Sequence, residues 1–196
     1  MRRVIRAALA MLFSLSVLTG IAYPLALTGL AQATMPGRAN GSLLYLRGHA
    51  VGSALIGQAF TTAAGQPLAQ YFQSRPSAAN YNALASGGTN LGPSNPVLLR
   101  SVARLARVYR VFNGLPPETP VPVDAVTTSG SGLDPDISIA NALLQVPRVA
   151  AARHLSRTLV RSLVTRYTQR RILGILGEPA VNVLELNLAL DRLRRH

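Results

Sequence analysis

The 196-residue chain has no cysteine, no lysine and no tryptophan. Without a thiol there is neither a structural disulfide nor a thiolate metal site, and the redox compartment stays open. Without lysine there is no Walker A loop, which needs Gly-Lys-Ser/Thr, and no Asp-Lys-Thr-Gly-Thr phosphorylation site of a P-type pump. No Gly-x-Ser-x-Gly elbow occurs, so a serine hydrolase of that type is disfavoured. The three histidines, His49, His154 and His196, are scattered without ligand spacing. Acids are scarce too: seven in all, none before Glu118 and no two forming a convincing general acid–base pair. Aromatics are few and no arginine-rich groove with interleaved rings is visible, which argues against nucleic acid as a partner.

What remains is strongly basic. Net charge is +13, carried by arginine alone, and the first half has no compensating acid. Anionic lipid or an acidic protein partner would suit such a balance.

The chain is organised around an apolar run, residues 7–31, with Arg2, Arg3 and Arg6 before it. A helix of about 20 apolar residues crosses a bilayer, and this run is long enough to cross with tilt. The basic end is expected in the cytoplasm. The expected plan is thus a cytoplasmic N-terminus (1–6), a transmembrane helix (7–31) and an extracytoplasmic domain (32–196). A cleaved signal peptide is the alternative, with Ala31-Gln32-Ala33 as the cleavage site and an exported basic binding domain as product. The length of the run favours the anchor. Within it Pro24 cannot donate to Gly20, so a bend is expected at Gly20–Pro24. Gly20 permits close helix approach, and Thr19, Tyr23 and Thr28 can hydrogen-bond across an interface. Thr19, Gly20, Tyr23, Pro24 and Thr28 are the candidate docking residues.

Beyond the anchor, Leu43–Leu46 and Ala50–Ile56 read as strands of a hairpin around Arg47-Gly48. Residues 71–96 are dense in Asn, Ser, Gly and Pro. Pro96 opens a helix with Val102, Leu105, Tyr109 and Phe112 on one face and Arg100, Arg104 and Arg107, with Arg110 as a fourth candidate, on another, ended by Asn113-Gly114. Such an arginine stripe is ordinarily a solvated face; the sharper reading is contact with headgroups or an acidic subunit. Val121–Thr128 reads as a strand. Asp134, Asp136 and Ser138 offer caps to a helix from about Ile139 to Val146, which Pro147 breaks or follows with another. A further helix after Ser156 carries Leu155, Leu159, Leu163 and Tyr167 on one side. Val181–Leu184 reads as a strand before a terminal helix with Leu186, Leu190 and Leu193. Interspersed strands and helices predict an α+β domain with a small sheet.

One polar segment is unusual. Ser86, Gly87, Gly88, Thr89 and Asn90 expose amides that can form an anion nest, making them the candidate nucleotide contacts. The plainer reading is a structured turn.

Ordered matches along nearly the whole chain closely resemble the C subunit of the Kdp potassium-transporting ATPase. They include Thr19-Gly20 with Tyr23-Pro24, Ala39-Asn40-Gly41-Ser42-Leu43 and Arg75-Pro76-Ser77-Ala78. Ala85–Leu91, Ser131-Gly132-Leu133-Asp134, Gln145–Ala150 and Val181–Leu190 continue the series. The resemblance implies a single-pass inner-membrane accessory subunit, bound to the lipid bilayer, beside a channel-like potassium-translocating subunit and a P-type ATP-hydrolysing subunit. It implies stabilisation of that assembly and a catalytic-chaperone role that raises ATP affinity. No cofactor is expected to be held tightly, and ATP is reached through the partner subunit. Direct contact of Ser86–Asn90 with ATP would require the cytoplasmic side, whereas the charge bias puts this segment outside. One departure from the family is visible: Arg157 and Arg161 stand where acids are usual.

Overall fold

The computed structural model describes residues 1–171 and 173–193. Two compact units divide the chain, Met1–Leu43 and the remainder from Leu44.

The first unit is dominated by one helical run of 33 residues, Arg2–Thr34. At 1.5 Å per residue it is about 50 Å long, more than the roughly 30 Å of a hydrocarbon core. None of its side chains is buried. Helix α1 (Arg2–Val17) passes into a π turn (Leu18–Ala22) and then α2 (Tyr23–Thr34). Beside Pro24, where the sequence predicts a bend, the helix widens into this π turn: the Tyr23 N–H reaches back five residues to the Leu18 carbonyl. A wider turn of this kind accommodates a backbone that has lost one donor. Thr19 donates its hydroxyl to the Leu15 carbonyl at 2.7 Å. A short helix α3 (Pro36–Ala39) follows, and the carboxamides of Gln32 and Asn40 pair at 3.1 Å.

The second unit has its strands in two sheets. Strands β1 (Leu43–Leu46) and β2 (His49–Ser53) form the expected hairpin. Arg47 and Gly48 both have positive φ, 54° and 81°, as a two-residue type I′ turn requires. The second strand stops at Ser53 rather than Ile56.

Helix α4 (Pro96–Asn113) has the expected bounds. The Asn95 side chain caps the Val97 N–H at 2.8 Å, and Gly114 ends the helix in the left-handed region. The strand expected over Val121–Thr128 is absent: Val123–Ala125 form a single 3₁₀ turn. Asp124 there accepts from the Ser138 N–H and hydroxyl and from Asn141, so this segment is tied by its carboxylate and not by a ladder.

A three-stranded antiparallel sheet has the order β3 (Asp136–Ser138), β5 (Ala180–Asn182), β4 (Thr168–Gln169). Asp136 thus lies in a strand opposite Asn182, and only Ser138 caps the next helix, accepting from Asn141 N–H. That helix, α5 (Ile139–Arg153), continues through Pro147. Proline removes one helical bond. Burial of Ala142, Val146, Val149 and Ala150 on one face outweighs that loss. Helix α6 (Arg157–Arg166) buries Val160, Leu163 and Val164; of the expected stripe Leu155, Leu163 and Tyr167 pack in or against the core, and Leu159 is exposed. Helix α7 (Val183–Leu193) supplies Leu186 and Leu190. With Phe72, Ile137 and Val181 these form one core.

Candidate functional site

The region Ala69–Arg75 has no backbone ladder, yet its polar groups are satisfied by side chains. Arg148 donates to the Ala69 and Tyr71 carbonyls, and Arg153 donates to the Gln70 carbonyl. Asn187 and Gln145 each bond both backbone groups of one residue, Phe72 and Gln73 respectively. A buried polar group without a partner is costly, so this set of long side chains specifies one path for the strap. Burial lowers the Arg148 guanidinium to about 10 while the neighbouring Tyr109 opposes the shift. Burial also raises the Tyr109 phenol, which donates to Asn141 at 2.8 Å. Arg153 pairs with Asp191 at 2.8 Å and lies over the Tyr71 ring.

The strap delivers Arg75 to a cleft of about 610 Å³ whose lining includes Leu55, Ser129, Ser131 and Asp134. Arg75 pairs with Asp134 at 2.8 Å and donates to the Thr128 carbonyl at 3.2 Å. Its Nε is buried without a partner among the described residues. Ser77 donates to the Gly132 carbonyl at 2.6 Å. On the next strand Asp136 has a raised carboxyl pKa, first from burial and second from Asp134. The Ser129 and Ser131 hydroxyls stand 3.4 Å apart, and among the described residues no histidine lines the cleft. The arrangement offers hydrogen bonds and a neutralised ion pair.

Ser86–Asn90 borders the same loop. Ser86 donates its hydroxyl, and Gly87 its N–H, to the Ser131 carbonyl at 3.0 and 2.8 Å. A Cβ on Gly88 would lie 3.0 Å from the Gly130 carbonyl oxygen, and one on Gly132 would lie 2.7 Å from that of Gly87. The glycines therefore let two backbones touch. The Gly87 amide is turned to Ser131, while Asn90 takes a positive φ of 52°. Among the described residues no group of three or more metal-ligating side chains occurs.

A family model described as the K⁺-transporting ATPase c chain, KdpC, matches residues 5–192. The chain belongs to the KdpC family. It is a subunit of a potassium-transporting ATPase. Potassium-transporting ATPase KdpC subunits of Mycobacterium bovis are 55% identical over 98% of this chain and 100% of theirs. That of Methylibium petroleiphilum is 51% identical over 97% and 98%. That of Gemmatimonas aurantiaca is 52% identical over 96% and 92%. The KdpC match takes in both the apolar helix and the folded unit.

Of the residues picked from sequence, Ser86–Asn90 lie together beside the Ser129–Gly132 loop. Thr19, Gly20, Tyr23, Pro24 and Thr28 lie within or beside the π turn and in α2. Sequence reasoning missed Arg75, Asp134 as its partner, and the clamp of Gln145, Arg148 and Asn187. Asn141, Gln145 and Asn187 on buried helix faces were the available signal, since an amide there needs a partner.

Proposed function

We infer that this KdpC subunit is a non-catalytic accessory component of an ATP-driven potassium uptake complex. It stabilises the assembly and raises the ATP affinity of a P-type subunit that performs hydrolysis, beside a channel-like subunit that carries potassium. ATP is met through that hydrolytic subunit. The observation that carries this reading is the helix Arg2–Thr34, apolar, unburied and interrupted only by a π turn. Apolar surface of that length needs lipid, and the π turn with Gly20 offers a packing face to another membrane helix. Arg2, Arg3 and Arg6 favour a cytoplasmic start in the inner membrane, which puts the folded unit on the outer side. Helix α2 continues through Ala31-Gln32-Ala33 to Thr34, which supports a retained anchor over an exported domain.

The test is purification of the tagged full chain from detergent-solubilised membranes, with ATP affinity measured on complexes containing or lacking it. Two larger subunits should co-purify, and complexes lacking the chain should need more ATP for half-maximal hydrolysis. Unchanged assembly and unchanged ATP dependence without the chain would overturn the reading.

A further inference from the structure

Helix α4 is held by one face only. Tyr109 donates to Asn141, and the Arg148 guanidinium lies 4.3 Å from the Phe112 ring centroid, both on the inner side. The opposite face carries Val97, Arg100, Arg104, Arg107, Val108 and Val111, which share one side at 3.6 residues per turn. The valines are 54%, 53% and 77% exposed. Among the described residues Arg100, Arg104 and Arg107 form no ion pair or hydrogen bond. The helix has no acid in its first turn to offset them.

This face is also grooved. On one side a hollow of about 380 Å³ lies against Gln66 and Pro67, and on the other one of about 520 Å³ lies against Leu115 and Pro117. Arg107 and Val111 line both. Each hollow is therefore lined mostly by apolar side chains, Phe112 among them in the first, together with the Arg107 guanidinium. A guanidinium donates to phosphate oxygens in a bidentate fork, and an acyl chain fits an apolar floor. A protein segment would need matching acids. A bilayer is already implied by the chain's own apolar helix, which keeps the folded unit at high local concentration near lipid.

We propose that the outer face of α4 docks on anionic phospholipid, with Arg100, Arg104 and Arg107 on headgroup phosphates and the valines against the upper acyl chains. This goes beyond the accessory role, since it assigns a lipid site to the folded unit whatever that unit does for ATP affinity.

The absence of cysteine gives a clean test. The full chain with Val111→Cys carries a fluorophore and is reconstituted in nanodiscs of phosphatidylcholine, alone or mixed with phosphatidylglycerol. Quenching by lipids spin-labelled near the headgroup is read, with Ala152→Cys, exposed on α5, as the control position. Quenching at position 111 should rise with phosphatidylglycerol and fall in high salt. It should be lost when Arg100, Arg104 and Arg107 are all changed to glutamine, each arginine being worth roughly a fivefold factor in occupancy. Those arginines have no partner within the described fold, so an unchanged melting temperature is expected for the triple variant. Equal quenching in both lipids, the same quenching in the variant, or none at position 111 would overturn the proposal. So would protection of the label only when the other subunits are added, which assigns the face to an acidic protein.

Discussion

The Asn187 carboxamide holds both backbone groups of Phe72, accepting from its N–H and donating to its carbonyl, each at 2.9 Å. Helix α7 thereby fixes the strap that ends at Arg75. Asn187→Leu keeps the volume but strands two buried backbone groups, at about 1–3 kcal/mol each. A denaturant titration of the full chain should show the unfolding free energy falling by that amount, and the midpoint falling with it. An unchanged midpoint would mean the strap is held elsewhere.

Arg148 makes the comparable test of charge. Its guanidinium serves Asn113, Gln145 and two strap carbonyls. Arg148→Lys keeps the charge yet loses the planar fork, and a loss of about 2–4 kcal/mol is expected from the carbonyls and amides left without donors. A midpoint equal to wild type would contradict the assigned bonds.

Gly132 and Gly130 lie two positions apart but differ in tolerance. Gly132 has φ +67° and its Cβ would strike the Gly87 carbonyl, whereas a Cβ on Gly130 meets nothing within 4 Å. Gly132→Ala should cost about 1–3 kcal/mol, by strain at the left-handed position and by forcing the loops apart. Gly130→Ala should cost far less. Thermal melting of the two variants compares them directly, and equal melting would remove the close-approach explanation of the Ser86-Gly87-Gly88 segment. A photoreactive ATP analogue applied to the complex tests the other meaning of that segment, labelling at Ser86–Asn90 being the positive result.

These contrasts mark what was legible. The hairpin and α4 could be read because their signals are local: Arg47-Gly48 makes the turn, and Asn95-Pro96 and Asn113-Gly114 bound the helix. Continuation of α5 through Pro147 depends on burial against α6 and the sheet, which no local pattern reveals. Strands of two or three residues, such as β4 and β3, are too short to show a period of two. Val121–Thr128 has strand-like residues, but Asp124 spends its carboxylate on Ser138 and Asn141. The Ser-Gly-Gly segment was visible in sequence; its neighbour, the Ser129–Gly132 loop, is a tertiary fact.

Asp136 gives a pH signature. Its carboxyl pKa is raised in the folded state by burial and by Asp134, so the folded chain binds a proton more tightly than the unfolded chain. Its contribution is fully present below the ordinary aspartate range and is lost as pH rises through the raised value. Asp136→Asn should therefore flatten the fall in stability that the wild type shows on raising the pH from about 4. Denaturant midpoints measured from acid to neutral pH check this, and parallel profiles for the two proteins would contradict it.

In the first unit, a Cβ at Gly20 meets nothing within 4 Å. Gly20→Leu should leave the melting of the folded unit unchanged while reducing co-purification with the larger subunits several-fold. Full recovery of the complex would remove Gly20 from the docking face.

The account as a whole turns on where the folded unit lies. A reporter pair fused to the carboxyl end, one enzyme active only outside the cytoplasm and one fluorescent only inside it, reads this in intact cells. The outside reporter should be active and the inside one dark. A bright cytoplasmic reporter with an inactive external one would contradict the account.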